Sequence, residues 1–277
     1  MSLLFLDAVR LDAAQAADAL EAALAAGLDP ETDPPRGVVA VEGGQLLVMA
    51  SAAAQHPVVK LVTVGGDPRV QGVCVVFDGK TLAPRALIDG IALTNLRTAA
   101  ISALAVRRLA VPDARRLLVF GRGPQAHAHV AALRLVRPIE HVDMLGRAHG
   151  DVDALVAAAD VICCCTTARE PLFDGALVAD HVTVVAIVSH EPEARETDDA
   201  LAARATIVVE SRASALREAG DVIQAVAVGA ATADRLVTLA ELVGGASPGP
   251  GPRLFKSTGM SWEDAVVAAA LAVDSGG

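Results

Sequence analysis

The stretch RRLLVFGRGPQAHAHV, residues 115–130, decides the fold. An apolar run ends at Gly121, Gly123 follows, Ala126 takes a third small position, and helical spacing then continues through QAHAHVAALRLV. In such a turn the first glycine permits the tight bend, the second lets the backbone approach a pyrophosphate, and a small third residue lets helix and strand pack closely. Pro124 suits the first helical turn, where its missing N–H costs nothing. The free N–H groups of that helix end face an anion. G-x-G-x-x-A alone is a weak pattern, but its place between a strand and a helix, with the strand EHVDML beyond, reads as a dinucleotide turn. The expected cofactor-binding residues are Gly121, Arg122, Gly123, Pro124, Gln125 and Ala126; Arg122 either neutralises phosphate or is simply solvated.

A free ribose calls for an acid about 20 residues further on. Asp143 has that spacing but lies within the strand HVDML, whereas the cofactor meets a strand at its carboxyl end, here Leu145, Gly146 and Arg147. An arginine with no acid beside it suits a 2′-phosphate, so NADP(H) is the expected cofactor, with NAD(H) as the alternative.

Outward from this turn, the 277-residue chain has the composition of a folded protein, 53% hydrophobic and 20% charged. A net charge of −10 and a pI near 5.1 argue against a nucleic-acid partner, which needs a basic stripe. No apolar run approaches the roughly 20 residues of a membrane span, and the start MSLLFLDAVRLDAAQ has no basic segment, so a cytoplasmic protein without a membrane partner is expected. Three of the four cysteines are adjacent in VICCCTT, with no C-x-x-C spacing, and read as small core hydrophobes. His127 and His129 are two apart on a helix and point to different faces, so no metal site is expected.

Residues 12–27 read as a helix with an acidic start and a glycine stop. GVVAVEGGQLLVMAS, PVVKLVTVGG, QGVCVVFDG and TLAPRALIDG, short β-branched runs broken by Gly, Pro and Asp, read as an antiparallel meander. A long helix follows from about Thr94, with Asp89 ahead of it as a turn or cap residue. Beyond residue 115, strands in RRLLVF, EHVDML, DVICCCTT, HVTVVAIVS and ATIVVES are separated by helical segments, the pattern of a doubly wound parallel sheet. GGASPGPGPR reads as a linker before a last helix from about Ser261. Ser257 either contacts phosphate or caps that helix, and Trp262 serves packing.

LIDGIALTNLRTAAISALAVRRLA, FGRGPQAHAHVAAL, TTAREPLF, EPEARETDD, REAGDVI and FKSTGMSWEDAVVAAA occur in this order. Together they resemble the ornithine cyclodeaminase/mu-crystallin family over nearly the whole chain. The resemblance implies an α/β fold in two parts: a Rossmann domain, residues 113–252, and an α+β substrate-binding and dimerisation domain, residues 1–112 with 253–277. It also implies NAD(P) chemistry on the Cα–N bond of small amino or imino acids, and a homodimer. By motif, Arg36, Lys60 and Arg97 match the family's carboxylate-binding residues, and a guanidinium fork suits a carboxylate. Lys60, which interrupts an apolar strand, is also the expected proton donor. Thr166 and Thr167 end a strand on the cofactor side and either contact the cofactor or cap the strand.

Two departures from the family pattern stand out. His190 occupies the place of an aspartate in VSHEPEAR; this disfavours ornithine cyclodeamination and offers a second catalytic residue, a proton relay. Between Arg147 and Asp160 there is room for one short helix and no strand, so the usual third, edge strand of the Rossmann sheet is expected to be missing. The expected function is an NAD(P)H-dependent reductase of a small imino acid or cyclic ketimine carboxylate, run in reverse as an amino-acid dehydrogenase. The alternatives are an ornithine cyclodeaminase and a non-catalytic small-ligand-binding protein.

Overall fold

The computed structural model describes residues 4–6, 10–146, 151–187 and 191–273. The chain divides into two compact units, Met1–Ile101 with Met260–Gly277, and Ser102–Gly259.

In the first unit Asp12 caps α1 (Ala13–Ala25) through a reciprocal box with Gln15. Strands β2 (Gly37–Val41), β3 (Gly44–Ser51), β4 (Val58–Gly65), β5 (Val70–Phe77) and β6 (Pro84–Asp89) pair antiparallel in chain order, and β1 (Leu4–Leu6) lies parallel to β6. The run GVVAVEGGQLLVMAS is two strands because Gly43, with φ +79°, turns the chain back after Glu42. The buried face of β3 and β4 alternates with period two and is covered by α9 (Ser261–Val273), which buries Trp262, Ala265 and Val267. Helix α2 (Gly90–Leu109) starts before Thr94 because the Asp89 carboxylate accepts from the amides of Ile91 and Ala92, both at 2.8 Å. The division between the units falls within this helix.

The second unit is a seven-stranded parallel sheet. In chain order its strands are β7 (Arg116–Phe120), β8 (His141–Leu145), β9 (Val161–Cys164), β10 (Thr183–Ala186), β11 (Thr206–Val209), β12 (Val237–Thr238) and β13 (Arg253–Lys256). Across the sheet they run β12-β11-β13-β10-β9-β7-β8. Buried on both faces, β9 and β10 read as continuous apolar runs. Helix α3 (Pro124–Val136) follows β7, and α4 (Val152–Ala158) follows β8 with no intervening strand among the described residues, so β8 is the outer strand on that side. Helices α5 (Asp199–Arg204), α6 (Arg212–Glu218), α7 (Gly220–Ala227) and α8 (Leu239–Val243) follow, and Gly220 and Asp221 open α7.

The units differ from the expected domains at both boundaries: residues 102–112 and 253–259 belong to the second unit, where β13 sits between β10 and β11. The proline- and glycine-rich segment before it leads into the sheet rather than out of it. No helix among the described residues is long and apolar enough to cross a membrane.

Candidate active site

The glycine turn joins β7 to α3. Gly121 has φ +122°, and a Cβ there would lie 2.5 Å from the Cys165 carbonyl oxygen, so only glycine fits. Its amide donates to the Leu145 carbonyl at 2.7 Å, which ties the turn to the end of β8. A Cβ on Gly123 would meet nothing within 4 Å, and Gly123 caps α3 with no side-chain hydrogen bond, leaving amides at a 13-residue helix's N-terminus, with Pro124 in its first turn. Ala126 is fully buried at the helix–strand contact. Arg122 is exposed, and its guanidinium donates to the Met144 carbonyl at 3.1 Å. This turn fits the pyrophosphate of a dinucleotide: open at Gly123, closed at Gly121. Asp143 lies in mid-strand, opposite Leu118, as its place in HVDML implied. Arg147 and His190 lie outside the described residues.

Beyond β9, the Thr166 amide and hydroxyl both donate to Glu196, at 3.0 and 2.9 Å, while Thr167 is exposed. Burial is the main reason that the Glu196 carboxyl rises to about 8. Asp221 accepts from the amides of Glu196 and Thr197, both at 2.8 Å, and pairs with Lys256 Nζ at 2.9 Å, both side chains fully buried. Burial opposes its charge, but Lys256 and those amides hold Asp221 below the usual carboxylate range. Ser257 is buried and donates to Glu210, so it caps no helix.

A second cluster lies in the first unit. Lys60, on the buried face of β4, is 1% exposed and places Nζ 2.8 Å from Asp264. Arg97, on α2, bonds Glu263 at 2.8 Å and puts Nε 3.4 Å from Asp264. Both acids come from the first turn of α9 and are fully buried. Burial above all, and then Arg97, lowers Lys60 to about 8 against the pull of Asp264 and Glu263. Lys60 also pairs across the sheet with Met49 and Cys74, and burial pushes the Cys74 thiol up to about 12. The structure thus brings Lys60 and Arg97 together on one carboxylate. Arg36, half-buried, immediately precedes β2; continuing the β2–β3 register by one residue sets it opposite Met49, the cross-strand partner of Lys60.

A third cluster joins His129 of α3 to Cys163 and Cys165. The Cys163 hydrogen bond, against burial and helped by His129, lowers the Cys165 thiol. Burial disfavours the His129 cation, but Cys165, the Gln125 carbonyl and Glu196 raise it. The two helical histidines do face apart, His127 exposed and His129 buried, yet the tertiary fold supplies His129 with sulfur neighbours that helix spacing alone does not reveal. Sequence reasoning assigns no role to Glu196, Asp221, Glu263 or Asp264; for the last two the available signal is Lys60, since a lysine in an apolar strand demands a buried acid, and for Asp221 it is the buried Lys256.

The chain thus combines a dinucleotide-type parallel sheet with a separate unit that buries a lysine and an arginine against paired acids. The chain belongs to the ornithine cyclodeaminase/mu-crystallin family, whose model matches residues 7–150 and 147–274. It is 35% identical over 264 residues to the ketimine reductase mu-crystallin of Rattus norvegicus, covering 86% of this chain and 82% of that protein. It is 35% identical over 221 residues to the Delta(1)-pyrroline-2-carboxylate reductase of Colwellia psychrerythraea, covering 70% of each. Among solved structures, the iminosuccinate reductase of Paracoccus denitrificans in complex with NAD+ superposes with a TM-score of 0.87 at 25% identity, covering 98% of this chain and 95% of that one.

Proposed function

We propose that this chain reduces the C=N bond of a small cyclic imino acid carboxylate, of the Δ1-pyrroline-2-carboxylate type, using a nicotinamide cofactor. The observation that carries the reading is Lys60: a fully buried lysine lowered to about 8, beside Arg97, in a family whose relatives carry the names ketimine reductase and pyrroline-2-carboxylate reductase. The nicotinamide, when bound, supplies the hydride to the C=N carbon. Lys60 delivers the proton to nitrogen, and a donor that titrates near 8 is matched to that task at neutral pH. Arg97 and Arg36 hold the substrate carboxylate, and positioning by those cations supplies most of the rate enhancement. Gly121, Gly123, Pro124, Gln125 and Ala126 cradle the pyrophosphate, Arg122 neutralises its phosphates, Arg147 serves a 2′-phosphate, and Thr166 and Thr167 contact the cofactor. His190 relays a proton.

Within that reading NADP(H) is preferred over NAD(H), because the carboxyl end of β8, residues 145–147, offers Arg147 and no acid. The protein works as a cytoplasmic homodimer. Support for a second copy comes from β2, an edge strand whose Val38, Val39 and Val41 are 45 to 56% exposed, an apolar edge of the kind that pairs with another chain. Cofactor-stripped protein titrated separately with NADPH and NADH, then assayed with five- and six-membered cyclic ketimine carboxylates, tests the reading. NADPH-dependent formation of the cyclic amino acid is expected. Tighter NADH binding overturns the cofactor preference alone, whereas ammonia released from L-ornithine without ketimine reduction overturns the reaction. Light scattering of wild type and Val39→Lys tests the dimer: the variant should be monomeric.

A further inference from the structure

We propose that His129, Cys163 and Cys165 form a binding site for one thiophilic divalent cation of the Zn2+ class. Alternation along β9 and its extension places Cys163 and Cys165 on one face and Cys164 on the other, where Cys164 packs in the apolar core. The two Sγ atoms lie 3.5 Å apart, and a ring nitrogen of His129 completes a set of three ligand atoms all within 4.8 Å of one another. Nδ1 of His129 is 2.8 Å from the Gln125 carbonyl oxygen, which can only accept, so Nδ1 carries the hydrogen. Nε2 therefore carries the lone pair, which here accepts from the Ser102 hydroxyl at 2.9 Å, so that hydroxyl has to turn aside for the nitrogen to take a cation. A histidine whose second nitrogen is anchored to a carbonyl is the outer-shell arrangement of metal-binding imidazoles.

The dimensions suit a cation. Zn–S near 2.3 Å and Zn–N near 2.0 Å at tetrahedral angles set the sulfurs about 3.8 Å apart and each sulfur about 3.5 Å from nitrogen. The sulfur pair is already close to that spacing, and the imidazole has to approach by little more than about 1 Å. A disulfide fits less well, because residues two apart on a strand are separated by about 6.6 Å, near the upper end of the range that a disulfide spans. His129 and Cys163 are fully buried, whereas Cys165 is partly open, which gives an ion its way in and leaves a fourth position for Ser102 Oγ or water. The three ligand residues belong to the second unit, whereas Lys60 and Arg97 belong to the first.

The test uses the reduced, chelator-treated full chain, titrated with Co2+ and then Zn2+. One Co2+ per chain is expected, with a thiolate-to-cobalt charge-transfer band of two-thiolate intensity that Zn2+ bleaches. Cys165→Ser and His129→Gln should weaken Zn2+ binding by more than the roughly 10–100-fold typical of losing an outer-shell partner. Cys164→Ser should retain both band and affinity. Should His129→Gln melt out, Ser102→Ala keeps the test open, since it should preserve the two-thiolate band. A missing or non-saturating band, a band unchanged in Cys165→Ser, or equal loss in Cys164→Ser overturns the site.

Discussion

Each unit buries a group of ionisable side chains, and one group is balanced in charge while the other carries an excess of acid. In the first, Lys60 and Arg97 face Glu263 and Asp264, two cations against two acids, and the lysine is the group pushed from its ordinary 10.5 to about 8. In the second, Glu196 and Asp221 face Lys256 alone, and the excess acid keeps its proton, rising from 4.5 to about 8. Near the same pH, therefore, one cluster loses a positive charge and the other gains a negative one. The difference is what favours the first cluster for the proposed proton transfer. Lys60 holds a proton that it can transfer and recover, while Glu196 receives two hydrogen bonds from Thr166 at the end of β9 and maintains the shape of that strand end.

The strongest way to break the comparison is Lys60→Met. The variant should lose kcat/KM by about 10²–10⁴-fold, the usual contribution of a positioned acid. Its melting temperature should hold or rise, because Asp264 retains Arg97 as a partner at 3.4 Å. The wild-type contribution of Lys60 to stability is present above 10.5 and lost as pH falls through about 8, so any gain in the variant should be larger below that pH. Unchanged turnover would remove Lys60 from the reaction. The counterpart in the second unit is Asp221→Asn, which leaves Lys256 buried without its charge partner. A stability loss of about 3–5 kcal/mol in denaturant titration is expected, and a loss under about 1 kcal/mol would mean that the pair contributes little.

A smaller effect separates the two cations of the first cluster. Arg97→Lys keeps the charge and loses the planar fork, so KM for the imino acid should rise by about tenfold with kcat less affected. A kcat loss as large as that of Lys60→Met would assign Arg97 to the proton transfer instead.

What was legible in the sequence follows from how local each feature is. The glycine turn could be read because its φ and its close approach to Cys165 are requirements on single residues. The meander could be read because its short β-branched runs are broken by Gly, Pro and Asp, which are local signals for strands and turns. Lys60 announced itself by interrupting such a strand. Its partner Asp264 did not, being 204 positions away in the first turn of the last helix, where an acid is an ordinary feature. β13 escaped notice because four residues after a proline- and glycine-rich loop carry too little periodicity to register, although they occupy the middle of the sheet. The His129–Cys163–Cys165 group was hidden for another reason: the helix supplies one ligand and the strand two, and only tertiary packing brings them to one point.

The finest test of the comparison is the pH dependence of stability through Glu196. A carboxyl raised on folding binds more protons in the folded than in the unfolded chain between its two values. Its stabilising contribution is therefore complete below 4.5 and is lost as pH rises through about 8. Glu196→Gln removes that titration, while the amide oxygen can still accept from the Thr166 amide and hydroxyl. The melting temperature of the variant relative to wild type should climb steadily across this window and level off above it. Lys256 nearby sets a limit on the effect, because it favours the charged carboxylate and offsets part of the burial penalty. A difference that stays flat across the window would mean that Glu196 is ionised throughout, that the second cluster is as balanced as the first, and that the contrast between them does not lie in its proton.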